Sequence, residues 1–136
     1  MKKKTVAFLA LITTILPLLI AGYMVYAAIQ PNTFTLEEER FVIEGVWGEK
    51  MRYVDIEHLI LMDSLPKIIS RTNGSSIGSE VKGNFRVEGY GDVKLFLNVN
   101  ASLFIQIQTE DLTVFIAMDS TLQTQDLFDE LSQRIN

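Results

Sequence analysis

Hydrophobic positions change their rhythm twice along this chain. From Thr5 to Ile29 they are almost continuous: TVAFLALITTILPLLIAGYMVYAAI holds no charged side chain, and none occurs between Lys4 and Glu37. Coiled as a helix at about 1.5 Å per residue, such a run reaches roughly 37 Å, enough to cross a hydrocarbon core of about 30 Å with some tilt. Pro17 interrupts it midway by removing a backbone donor, a defect that Thr13 and Thr14 are placed to relieve. Tyr23 and Tyr26 lie at one end, as residues of an interfacial aromatic belt do.

Beyond a short polar break at Gln30, Pro31 and Asn32, the rhythm becomes short. Segments rich in β-branched and aromatic residues alternate with Gly, Asn and Asp turns. Strands are predicted near 33–36, 40–44, 50–54, 59–63, 68–71, 82–88, 93–99, 104–109 and 113–118. In 85–99 the apolar residues Phe85, Val87, Val93, Leu95, Leu97 and Val99 fall at every second position, with Arg86, Glu88, Lys94 and Asn98 on the other side. Gln106 and Gln108 are placed outward by the same rule. Gly89-Tyr90-Gly91-Asp92, Asn100-Ala101-Ser102 and Glu110-Asp111-Leu112 read as hairpin turns.

The last segment has a helical period. Ser120 followed by Gln123 fits a capping box, and Leu127, Phe128, Leu131 and Ile135 make one apolar stripe, with Glu130 and Arg134 placed to pair on the wet face. The pattern thus predicts a mainly β domain over residues 30–136, a curled antiparallel sheet whose open end or seam is plugged by a C-terminal amphipathic helix.

Charge gives the membrane segment a direction. Lys2, Lys3 and Lys4 precede it, whereas Glu37, Glu38, Glu39 and a single Arg40 follow closely. The positive-inside rule therefore keeps residues 1–4 cytoplasmic, makes 5–29 a signal anchor and puts the domain on the extracytoplasmic side of the cell membrane. The alternative is a signal peptide cleaved near Ala27, which also exports the domain; the apolar run exceeds the usual h-region. Residues 30–136 carry nine basic against seventeen acidic side chains, a formal charge of −8. That charge disfavours nucleic acid and anionic lipid as partners. With no cysteine and one histidine, disulfides, thiolate sites and two-histidine metal sites are excluded, and no cofactor is expected.

The stretch from Phe34 to Ile135 resembles the bacterial pleckstrin-homology-like domains of small membrane-associated proteins from Gram-positive bacteria. The likeness rests on Leu65-Pro66, Arg71-Thr72-Asn73-Gly74, Gly83-Asn84-Phe85-Arg86 and the closing strand and helix. It departs at Ile116-Ala117-Met118-Asp119-Ser120, which lacks the asparagine usual there. The resemblance implies a seven-stranded antiparallel barrel or sandwich capped by the terminal helix, and no catalysis.

Residues 71–79 form the longest polar stretch, read as an exposed loop in which Arg71, Asn73, Gly74, Ser75 and Ser76 could meet a ligand or partner. Trp47, in Gly45-Val46-Trp47-Gly48, is either an exposed anchor or a packing residue. His58 lacks a nucleophilic partner, and Asp55/Glu57 and Glu110/Asp111 lack calcium-loop spacing, so these read as surface charges. The expectation is a non-enzymatic module, anchored by one membrane span, that mediates interaction with another protein or an envelope component. The alternative is a secreted β-barrel protein, released by cleavage, that holds a small ligand.

Overall fold

The computed structural model describes residues 2–135. Helix α1 runs over Lys2–Ile29 and contains Pro17. It is long and apolar enough to cross a membrane. The hydroxyls of Thr13 and Thr14 both donate to the Ala10 carbonyl, at 3.0 and 2.8 Å. They therefore do not supply the donor that Pro17 withholds from the carbonyl one turn before it, which is that of Thr13.

Nine strands follow among the described residues: β1 (Phe34–Leu36), β2 (Arg40–Ile43), β3 (Glu49–Arg52), β4 (His58–Met62), β5 (Ile68–Ser75), β6 (Glu80–Val87), β7 (Gly91–Asn98), β8 (Phe104–Gln108) and β9 (Thr113–Ala117); helix α2 (Thr121–Ile135) ends the fold. Strands β1–β3 form a small antiparallel sheet, and the other six are ordered β4-β8-β9-β7-β6-β5. The expectation of a seven-stranded barrel is corrected to nine strands in two sheets with no closed barrel. Nor is the larger sheet wholly antiparallel, because β7 pairs with β9 in parallel. The 100–102 turn is accordingly no hairpin: β9 lies between β7 and β8, so this segment begins a crossover.

The topology forces the six-stranded sheet to curl. Strands β4 and β5 are its opposite edges, yet only residues 63–67 join them. Five gaps of about 4.8 Å would separate those edges by about 24 Å in a flat sheet, whereas six Cα steps reach at most about 22 Å even fully extended. The edges therefore approach each other without pairing, and both sheet faces become interior. Inside the curl lie Val81, Phe85, Val87, Val93, Leu95, Leu97, Phe115 and Ala117, covered by Met62, Leu65, Ala101 and Phe104. Outside it Phe96, Ile105, Ile107, Val114 and Ile116 meet Phe41, Ile43 and Met51 of the small sheet and Leu127 and Leu131 of α2.

This double burial explains where strict alternation misleads. Gln106, expected in solvent, is buried inside the curl, where its Oε1 accepts from the Tyr90 hydroxyl at 3.2 Å and Tyr90 meets Phe115 edge-on. Helix α2 starts as its cap predicts, with the Gln123 amide donating to Ser120 Oγ at 3.4 Å. Buried Thr124 fastens its first turn to β9 by accepting from the Met118 amide at 3.0 Å. Its far end differs from expectation: Arg134 leaves Glu130, donates to the Glu37 carbonyl and lies 5.9 Å above the Tyr53 ring. The tyrosine hydroxyl donates to that same carbonyl at 2.6 Å.

Candidate functional site at the joint of helix and domain

Four sequence features build a fixed joint where α1 meets the sheets. The last carbonyls of a helix have no intrahelical partner and carry the negative end of its dipole. Lys82, near the start of β6, reaches one of them: its Nζ donates to the Ala27 carbonyl at 3.0 Å. Ala28 is buried, and Ile29 approaches Gly78 in the β5–β6 turn. The polar break then clips on, with Asn32 Nδ2 donating to Glu80 Oε2 at 3.0 Å and Asn98 Nδ2 donating to Oε1 at 3.3 Å. The Thr33 carbonyl accepts from the Glu44 amide, leading the chain into β1.

Burial raises the Glu80 pKa, opposed by the bond from Asn98 and by the Lys82 charge, and burial lowers that of Lys82, opposed by Glu80. For Glu80 the sign follows directly. A carboxyl whose folded pKa lies above its unfolded value binds protons better when folded, so its contribution to stability is greatest below the unfolded pKa and is lost as pH rises through the folded one. Glu80→Gln can keep acceptance from Asn98, whose own Oδ1 is held by the Asn100 amide at 2.9 Å, if Asn32 turns its amide. The variant is expected to be at least as stable as the parent at pH 7 and to lose that advantage as pH falls toward 4, in paired thermal-unfolding series.

A cavity of about 450 Å³ opens beside this joint. Tyr23 and Tyr26 wall it from α1, Thr33 and Glu44 from the entry to the domain, and Trp47 and Lys82 from the two sheets. The tryptophan is positioned by its turn: Gly45 adopts a φ of +109°, and the Gly48 amide donates to the Gly45 carbonyl at 3.0 Å. Lys94 holds the same turn from β7, donating to the Trp47 carbonyl at 3.2 Å and to Glu49 Oε2 at 2.8 Å. The indole edge rests over Gly83, where an added Cβ would lie 3.0 Å from Trp47 Cδ1. Trp47 is thus half-buried packing that also faces the cavity.

The residues expected in a 71–79 loop are distributed differently. Arg71, Asn73, Gly74 and Ser75 belong to β5, an edge strand, and only residues 76–79 make the turn. Arg71 and Asn73 are exposed along that edge, whereas Ser75 is 5% exposed and is corrected to a buried residue; Ser76 is exposed. Gly74 is spent on close packing, since a Cβ there would lie 2.4 Å from the Lys82 carbonyl. Alternation and Gly content suggested a loop because the register shifts at 68–70 and 71–73 break the two-residue period. Tyr23, Tyr26, Glu44 and Lys82 were missed as a group, since 59 residues separate Tyr23 from Lys82 and no local pattern joins them. His58 is exposed at the start of β4. Among the described residues no group of three His, Cys, Asp or Glu side chains could hold a metal.

Compared with family models, with curated proteins and with solved structures, the chain finds no match.

Proposed function

We propose that this chain is a non-enzymatic module, anchored in the cell membrane by α1, whose pleckstrin-homology-like domain stands on the extracytoplasmic face and binds another protein or an envelope component there. The observation that carries the reading is the joint: Lys82 on the Ala27 carbonyl and Asn32 on Glu80 hold the domain at one orientation to the helix. A merely tethered domain needs no such bonds; one that must offer a particular surface at a particular height does. The pleckstrin-type relationship is supported by the two packed sheets and the terminal helix packed into the core they share, while the parallel β7–β9 pair departs from it.

The surface best suited to a partner is the unclosed seam of the large sheet. Its two edges, β4 and β5, carry the exposed Ile60, Ile68 and Ile69 beside Arg71 and Asn73. The bulges in β5 keep this edge from indiscriminate pairing. A photocrosslinking residue at Ile69 is expected to give one discrete adduct in intact membranes, weakened by Arg71→Ala and absent from a probe at Lys50. Equal, diffuse adducts from both positions would count against the seam.

The side of the membrane is tested separately. Because the chain has no cysteine, Ser76→Cys offers a single thiol. It is expected to react with an impermeant maleimide on intact cells, and less so once Lys2, Lys3 and Lys4 are replaced by Gln. Reaction only after lysis would put the domain in the cytoplasm.

A further inference from the structure

We propose that the cavity at the joint seats the headgroup of a zwitterionic phospholipid taken from the membrane that α1 crosses. Position comes first. Tyr23 and Tyr26 lie in the last two turns of α1, on the stretch that reaches the headgroup zone when the preceding apolar residues fill the hydrocarbon core. Both are exposed, and both wall the cavity, so the cavity opens onto lipid at the depth where phosphates and amines lie.

Chemistry then selects among lipids. Lys82 contributes an ammonium of which one donor is given to the Ala27 carbonyl, leaving donors for a phosphate oxygen. Burial lowers its pKa, and a phosphate beside it would oppose that by favouring the ammonium form. Glu44 supplies the opposite charge; it is exposed at the cavity and has no ion-pair partner among the described residues. The rings of Trp47, Tyr23 and Tyr26 add faces that attract a cationic amine. An anionic lipid without an amine would answer Lys82 but leave Glu44 unmatched, under a domain of charge −8. A cationic amphiphile would do the reverse. A phosphate and an amine in one headgroup answer both, and about 450 Å³ falls in the range of small-ligand sites.

This inference rests on α1 being a membrane span and adds the class of ligand. Trp47 is the only tryptophan, so its emission reports on the cavity without labelling. The full chain is placed in phosphatidylglycerol nanodiscs containing increasing fractions of phosphatidylethanolamine. Trp47 emission is expected to shift along a saturating curve, and Glu44→Gln, an exposed and structurally mild change, to move the midpoint to about fivefold more phosphatidylethanolamine. A linear response, or a midpoint unmoved in the variant, would overturn the headgroup assignment. Soluble phosphoethanolamine that reproduces the whole shift at low millimolar concentration would overturn the lipid as its source. Failure of the chain to enter nanodiscs would instead overturn the anchor, and with it a cavity facing lipid.

Discussion

Gly83→Val is expected to destabilise the domain by about 4 kcal/mol. Two costs coincide. Gly83 has a φ of +109°, a conformation that costs a branched residue about 1–3 kcal/mol. A Cβ there would also lie 2.7 Å from both the Asn73 carbonyl oxygen and the Gly74 Cα, which are backbone atoms of the neighbouring strand, and 3.0 Å from the Trp47 ring. Overpacking against atoms that cannot swing aside adds about 1–3 kcal/mol. Gly89→Val is the matched control: φ is +83°, but nothing lies within 4 Å of an added Cβ, so only the conformational cost, about 1–3 kcal/mol, is expected. Urea unfolding of the full chain in detergent micelles, followed by far-ultraviolet dichroism, measures both. Equal losses in the two variants would show that the close approach of β5, β6 and Trp47 contributes nothing.

That glycine also illustrates which parts of the molecule its sequence discloses. The membrane helix, the position of every strand to within a few residues except the second half of β5, and the stripe of α2 are legible because each depends on neighbours a few positions away. Leu127 and Leu131 are buried and Phe128 and Ile135 pack beside them, as their spacing requires. The curl is not legible, because it follows from a strand order in which β9 inserts between β7 and β8 and from the brevity of the 63–67 connection. Without the curl, Gln106 reads as a solvent residue and Lys82 as a surface cation. Residues 71–75 fail for a related reason: two bulges cost β5 its alternation, and a strand rich in Ser, Thr, Asn and Gly then looks like a loop. The joint was half-visible. The polar break at 30–32 indicated a domain beginning at the membrane surface, but the partners of that break, Glu80 and Lys82, come from a strand about fifty residues later.

Leu131→Ala is the second substitution expected to have a large effect, a loss of about 3 kcal/mol. Leu131 is fully buried and belongs to the core shared by three elements: Phe41 and Met51 of the small sheet, Ile105, Ile107 and Ile116 of the large one, and α2 itself. Removing three carbons there forfeits transfer energy and leaves a cavity, and strands held by two hydrogen-bonded sheets can collapse on it only partly; such changes cost about 2–5 kcal/mol. Leu122, on the same helix but 70% exposed, should cost less than about 0.5 kcal/mol when truncated. The location of the damage is as informative as its size. The residues inside the curl form a separate cluster on the opposite sheet face, and the β6 residues that grip α1 extend from that strand, not from α2. Leu131→Ala should therefore lower the unfolding midpoint while the folded variant retains the same Ser76→Cys labelling and the same response of Trp47 to phosphatidylethanolamine. If both were lost at temperatures where the variant is still folded, α2 and the membrane joint would have to be one cooperative unit, coupled through Phe96, which shares the Leu131 core and lines the cavity.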